Sequence, residues 1–341
     1  MGTKKIRVLI VDDSVLFRGV LMRGLSSDPD IEVVATAGDP YEARDKIISS
    51  RPDVMTCDVE MPKMNGIEFI QRLMPQYPLP IIVVSSTSGT VFDAMDAGAV
   101  DFVGKPNPSL TGSVEKFISE LIAKIKIAAH AKVHTLEQGG QGKRIVGGAG
   151  IDGKGKIIAI GASTGGTEAI FSILKSLPED VPGIVIVQHI PPNFSRMFAE
   201  RLNNTTNFTV KEAKSGDYAE RGQVLIAPGD RHMKVRRVGE RYRVDCYEGE
   251  KVNGHCPSVD VLFESVAKEA GKNAVGVILT GMGYDGAKGL LSMRRMGART
   301  IGQDEKSSIV YGMPKVAFNI GGVEKQASLD NMAYSIYHML D

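Results

Sequence analysis

What most narrows the fold of this chain is a rhythm: short apolar runs, each closed by a polar or small residue and followed by a longer amphipathic stretch. Parallel strands joined by crossover helices are written this way, because a strand buried on both faces carries little polar alternation while its helix shows one apolar stripe. In the first third the runs are Val8 to Val11, Val33 to Thr36, Val54 to Cys57, Ile81 to Val84 and Val100 to Val103. A second series follows Lys156, at Ile157 to Ile160, Ile184 to Val187, Val224 to Ile226, Val275 to Leu279 and Thr300 to Ile301. Helical spacing follows several of them, as in Phe194, Met197, Phe198 and Leu202. Between the two series the chain turns glycine-rich and poor in apolar residues, too little to offset the entropy of ordering it. The expected organisation is therefore a first α/β domain over residues 4–128, a flexible linker over 129–154 and a second, doubly wound α/β domain over 155–341. The stretch from His232 to Tyr247 alternates with period two around Gly239 and predicts an inserted β-hairpin.

Two domains also suit a chain of 341 residues, longer than one core usually organises. Its 41 basic and 40 acidic side chains nearly cancel, which disfavours nucleic acid or an anionic membrane as partner. Three widely spaced cysteines, Cys57, Cys246 and Cys256, make no disulfide framework and fit a reducing compartment. The apolar run after Arg7 is too short for a signal peptide or membrane span, and the expectation is a cytoplasmic protein without membrane insertion.

In a parallel sheet the carboxyl ends of the strands share one edge, where ligands sit. In the first domain that edge collects Asp12 and Asp13 after the first strand, Asp58 ending the third, Ser85 ending the fourth, and Lys105 with Pro106 after the fifth. Crowded carboxylates repel unless a hard cation sits among them, and Mg²⁺ prefers such oxygen ligands. Asp13 or Asp58 alone reads equally well as a helix N-cap; the five positions together point to phosphoryl chemistry.

The second domain opens with Gly161-Ala-Ser-Thr-Gly165, which puts Ser163 at a strand-to-helix turn, where unpaired N–H groups and the helix dipole converge. Such turns also cradle phosphate, and Ser163 alone reads as a cap or phosphate ligand more readily than as a nucleophile. Two further strand ends change the balance. His189 follows the run IVIVQ, and Asp285 follows VILTGMGY, so the three side chains can meet on one edge. A serine hydroxyl needs an imidazole to take its proton, and the imidazole needs a carboxylate to fix its tautomer. Backbone N–H groups at Thr164 and at the Met282-Gly283 turn are candidate oxyanion donors. Taken singly, Asp285 would cap the helix AKGLLSMRRM, and His189 would be a loop residue before Pro191 and Pro192. His255, Cys256 and Cys246 lack the pairwise spacing of a structural zinc site, and His232 shows no partner in sequence.

The segments VDDSVLFR, DVEMPKMNGIEF, VVSSTS and GAVDFVGKP resemble the receiver domains of two-component response regulators, over about the first 125 residues. That resemblance implies a flavodoxin-like five-stranded sheet, a phosphoaspartate at Asp58, Mg²⁺ held by Asp12, Asp13, Asp58 and the Glu60 carbonyl, and phosphoryl sensing by Ser85 and Lys105. It also suggests a cis Lys105–Pro106 bond. From Ile157 to Val323, GASTGG, VQHIPPNFSRMFAERLN, APGDRHM, PSVDVLF, LTGMGYDGAKGL and IGQDEKSSIVYGMPKVAFNIGGV resemble the chemotaxis protein-glutamate methylesterases, the CheB family. The resemblance implies a Ser163, His189 and Asp285 triad that needs no cofactor. It implies hydrolysis of glutamate methyl esters and deamidation of glutamines on methyl-accepting chemotaxis receptors, with a chemotaxis histidine kinase as phosphodonor. On this reading the unmodified receiver covers the active-site entrance until Asp58 is phosphorylated. A transcription factor is the rival that receiver domains suggest, but the second domain shows no helix-turn-helix signature. A non-catalytic scaffold binding nucleotides or receptors through GASTGG is the other.

Overall fold

The computed structural model describes residues 4–86, 89–106, 112–133, 145 and 154–340. The chain divides into two compact units, Met1–Gln138 and Gly139–Asp341.

The first unit alternates strictly: β1 (Ile6–Val11), α1 (Val15–Ser26), β2 (Ile31–Ala37), α2 (Pro40–Ser50), β3 (Val54–Asp58), α3 (Gly66–Leu73), β4 (Ile81–Ser85), α4 (Val91–Asp96), β5 (Asp101–Gly104) and α5 (Ser113–Ala128). The strands form one parallel sheet in the order β2-β1-β3-β4-β5. β3 and β4 are buried throughout, because helices cover both faces. Each of the first three helices starts on a side-chain cap, at Ser14, Asp39 and Asn65, so neither Asp13 nor Asp58 is used as an N-cap. The strand order reverses between β1 and β3, and the crevice at their carboxyl ends is the expected ligand position.

The second unit runs β6 (Ile157–Ala162), α6 (Gly166–Ser176), β7 (Ile184–Gln188), α7 (Phe194–Thr205), β8 (Thr209–Glu212), β9 (Gln223–Ile226), β10 (His232–Val238), β11 (Arg241–Tyr247), α8 (Val259–Ala270), β12 (Ala274–Ile278), α9 (Ala287–Arg295), β13 (Arg299–Gln303), α10 (Met313–Asn319), β14 (Lys325–Ala327) and α11 (Leu329–His338). Its seven-stranded sheet is wholly parallel, in the order β14-β13-β12-β6-β7-β9-β8. The chain starts at the centre with β6, builds outward through β7, and returns to the other side of β6 with β12. Ser163, His189 and Asp285 follow β6, β7 and β12, the three strands around that reversal.

The expected hairpin is β10 and β11, turning at Gly239, whose φ of 64° lies in the left-handed region. Its inner face presents Met233, Val235, Tyr242 and Val244, all buried in one core with Leu262, Phe263 and Val266 of α8. Full burial of such a side chain stabilises by about 1.5–3 kcal/mol, so the hairpin is a firm support for α8.

β8 and β14 were not foreseen. They are the two edge strands, and β8 buries only Val210 while β14, Lys-Gln-Ala, buries only Ala327. The Lys105–Pro106 bond is trans, the ordinary lower-energy form for X–Pro. Among the described residues Cys256–Pro257 is the cis bond. Most of the expected linker, 134–144 and 146–153, and with it His134, lies outside the described residues. No helix among the described residues is long and apolar enough to cross a membrane.

Candidate active site and phosphoacceptor site

The first unit's edge holds the acidic cluster. One oxygen each of Asp12, Asp13 and Asp58 lie within 4.8 Å of one another, with Asp12 and Asp58 buried and Asp13 exposed. Lys105 supplies the counter-charge, its Nζ 2.6 Å from Asp58 Oδ2 and 2.9 Å from Asp12 Oδ2. The Lys105 N–H donates to the Ser85 carbonyl (2.8 Å), which ties the end of β5 to that of β4. Ser85 itself is buried at this edge. Asp58 Oδ1 accepts a long hydrogen bond, 3.3 Å, from the Glu60 N–H. Gly66 makes the site possible: a Cβ there would lie 2.0 Å from the Asp58 carbonyl oxygen, so only glycine lets α3 begin against the end of β3.

Burial pushes the Asp58 carboxyl above its usual range, and the Asp12 charge adds to this, while Lys105 pulls it back. Burial alone would lower Lys105, but its bonds to Asp58 and Asp12 hold its pKa above the usual value. The three clustered ligands are all carboxylate oxygen, and they fit a hard divalent cation such as Mg²⁺.

The second unit's edge is built differently. Ser163 sits in the turn after β6, where its N–H donates to the Thr280 carbonyl (3.0 Å) beyond β12 and its carbonyl accepts from the Gly166 N–H (2.7 Å). Gly165 is the N-cap of α6 with φ 77°, and a Cβ there would meet Ile309 at 2.8 Å. Ser163 is therefore not the helix cap. On the other side, the His189 N–H donates to the Ala162 carbonyl (3.1 Å), and Gln188 Nε2 donates to the carbonyls of Ser163 (2.9 Å) and His189 (3.3 Å). Gln188 thus ties the serine turn to the histidine turn.

His189 Nε2 lies 2.9 Å from Asp285 Oδ2, and both side chains are nearly inaccessible, 8% and 1% exposed. His189 Nδ1 is buried without a hydrogen-bond partner, and no hydrogen bond links the ring to the Ser163 hydroxyl in this conformation. Imidazole bonded through Nε2–H to a carboxylate carries its lone pair on Nδ1.

Asp285 does not cap the helix that follows it; α9 begins on Gly286 with no side-chain cap. It caps α8 instead. Its Oδ2 accepts from the Val259 N–H (2.7 Å), and its Oδ1 accepts from Asp260 N–H (3.2 Å), Ser258 Oγ (2.8 Å) and Asn253 Nδ2 (2.9 Å). Burial works against ionisation, but the His189 contact, Asn253 and the helix N–H groups prevail and hold the carboxyl well below its usual range. Asn253 Nδ2 also donates to Asp260 Oδ2 (2.7 Å), and Asp260 in turn accepts from the Gly289 N–H (2.6 Å). Burial leaves the Asp260 carboxyl raised.

Of the oxyanion candidates, Thr164 is buried in the turn after Ser163, while Met282 and Gly283 (φ 87°) lie in the loop after β12. That loop packs against the serine: a Cβ on Gly281 would fall 2.6 Å from Ser163 Cβ. Gln188, Asn253 and Ser258 escaped sequence reasoning, and His255 was weighed there only as a zinc ligand. His255 stacks on His189 with ring centroids 3.7 Å apart and planes 8° from parallel. Asn253-Gly254, a strong turn dipeptide, was the available signal for that loop. His232 has a structural role, its Nε2 against the Glu250 carbonyl (2.9 Å) and its Nδ1 accepting from the Ser258 N–H (3.2 Å).

Comparison with known proteins agrees across both units. Residues 158–336 match the CheB methylesterase family and residues 8–112 the response regulator receiver domain. The chain is 56% identical over its whole length to a protein-glutamate methylesterase/protein-glutamine glutaminase of Syntrophomonas wolfei, covering 99% of that protein. A namesake from Syntrophotalea carbinolica is 53% identical, with 99% of this chain and 98% of that protein aligned. Among solved structures, the CheB methylesterase catalytic domain of Thermotoga maritima superposes with a TM-score of 0.53 at 34% identity, covering 54% of this chain and 98% of that one. With one family spanning the sheet that carries Ser163, His189 and Asp285, and a receiver match spanning the acidic cluster, the chain belongs to the CheB methylesterases.

Proposed function

We propose that this chain is a phosphorylation-activated protein-glutamate methylesterase and protein-glutamine glutaminase. It acts on methyl-accepting chemotaxis receptors in the cytoplasm, with residues 4–128 as receiver, 129–154 as linker and 155–341 as the catalytic domain. The observation that carries the reading is the His189–Asp285 pair, with Nδ1 left unpartnered one strand away from the serine turn.

The chemistry follows from that pair. Ser163 Oγ attacks the side-chain carbonyl carbon of the glutamyl ester while His189 Nδ1 takes the hydroxyl proton. Asp285 keeps the Nε2–H tautomer and offsets the positive charge the ring acquires. The developing oxyanion is met by N–H groups at Thr164 and at Met282 or Gly283. His189 then gives that proton to the leaving methoxy oxygen, or to the amide nitrogen of a glutamine, so that methanol or ammonia departs, and water attacking through the same base frees the glutamate. No cofactor enters this sequence.

In the receiver, Asp12, Asp13, Asp58 and the Glu60 carbonyl would hold Mg²⁺, which supplies charge neutralisation for phosphoryl transfer. Asp58 is the phosphoacceptor, its donor a chemotaxis histidine kinase. Lys105 releases Asp58 to meet the phosphoryl group, Ser85 reports it, and the receiver's restraint on the catalytic unit is relieved. Ser163→Ala should lower methanol release from methylated receptor membranes by at least about ten-thousand-fold, since no other group can form the acyl-enzyme. Near-normal turnover by that variant would falsify the assignment.

A further inference from the structure

A second imidazole belongs to this site. His255 ends a four-residue turn, Val252-Asn253-Gly254-His255, closed by reciprocal hydrogen bonds between Val252 and His255 (3.0 Å each way). Asn253 and Gly254 both have positive φ, 54° and 84°, the signature of a tight type I′ turn. This turn delivers two side chains to the catalytic pair: Asn253 donates to Asp285 Oδ1, and His255 lies flat on His189.

The stack meets a mechanical need. One hydrogen bond, Nε2 to Asp285, anchors one corner of the His189 ring and leaves the ring able to swing about that contact. A swing of a fraction of an ångström at the far corner moves Nδ1, the atom that must reach the serine proton. A flat neighbour at 3.7 Å stops that motion without competing for either nitrogen. We propose that His255 is a positioning residue, holding the His189 ring in the plane where Nε2 meets Asp285 and Nδ1 stays available to Ser163. This inference rests on the triad reading above.

The electrostatics suit the role. The groups facing His255 are His189 from the loop after β7, Asp285 from the loop after β12, and Lys251 on its own segment. Burial first, then the His189 charge, lowers its pKa to about 4, with Asp285 opposing. The stacked ring is therefore neutral at working pH and adds no repulsion when His189 takes up a proton.

The test uses the full-length protein, methylated receptor membranes, and the variants His255→Ala, His255→Phe and Ser163→Ala, each checked for an unchanged melting transition. His255→Ala should lower kcat about 10- to 100-fold with KM within about twofold, the size of effect a misplaced catalytic group produces. His255→Phe, which restores a flat ring without nitrogens, should recover most of that loss. Equal impairment in Phe and Ala, or a loss confined to KM or to stability, overturns the proposal. If Ser163→Ala is inactive while His255→Ala matches the parent, this inference fails and the triad reading stands. Activity remaining in Ser163→Ala sinks the triad reading itself.

Discussion

Both units place an aspartate at the edge of a parallel sheet, beside the strand reversal, and they treat it in opposite ways. Asp58 lies among other carboxylates, meets Lys105 closely and the Glu60 N–H at longer range among the described residues, and is pushed toward protonation. Asp285 takes hydrogen bonds from His189, Asn253, Ser258, Val259 and Asp260, and is locked as an anion. On the proposed reading the difference separates two jobs. A carboxylate that must attack phosphorus needs lone pairs that are not already spent, whereas one that orients an imidazole must never change its charge or position.

Replacing each aspartate by asparagine is the sharpest way to break this comparison. Asp285→Asn presents an NH2 to a site made entirely of donors, so either a buried donor is left unpaired or the His189 tautomer is reversed. Methanol release should fall by about a thousand- to ten-thousand-fold. The same variant should lose about 1–3 kcal/mol of stability in denaturant melts of the catalytic unit, because the start of α8 loses its anion. An Asp285→Asn protein as stable as the parent would show that the cap is unimportant.

Asp58→Asn should do the reverse for stability. Removing a buried charge that repels Asp12 ought to leave the receiver melting unchanged or a few degrees higher. It should abolish the rise in methanol release that a small acyl phosphate with Mg²⁺ produces in the parent, while the unstimulated rate stays within about twofold. A receiver destabilised as much by Asp58→Asn as the catalytic unit is by Asp285→Asn would erase the contrast between the two aspartates.

How far the sequence foretold these sites follows from the same physics. The central strands were legible because strands buried on both faces cannot avoid being apolar, and their ends located Asp12, Asp58, Ser163, His189 and Asp285 without any contact information. Edge strands β8 and β14 were not, since one buried residue apiece leaves no pattern. The donors around Asp285 were hidden for a different reason. Two of them, at Val259 and Asp260, are backbone groups that any residue would supply. The others depend on a turn folding back across roughly thirty residues of sequence, a tertiary fact that spacing does not encode. His255 was considered only as a zinc ligand; a face-to-face ring contact leaves no spacing rule to find.

Acid offers the finest probe, because His255 and Asp58 respond to protons with opposite sign. His255 has a folded pKa of about 4 against an unfolded value near 6.5. Between these values the unfolded chain binds a proton that the folded one refuses, so this group removes stability as pH falls through the window and no more below it. Asp58, raised when folded, binds its proton first in the native state and so favours the folded receiver as pH falls toward 3.8. Asp285, depressed when folded, keeps its contribution through the window and loses it only below about 3.8. Asp260, raised by burial, works in the same direction as Asp58 and blurs the raw melts of the catalytic unit. The difference between parent and His255→Phe cancels it. Measured from pH 7.5 to 4, that difference should move against the parent, by at most about 1.4 kcal/mol per pH unit and less because the half-buried ring keeps some water contact. A flat difference across the window would mean that His255 titrates normally in the folded protein and that its packing on His189 does not disfavour the charged ring.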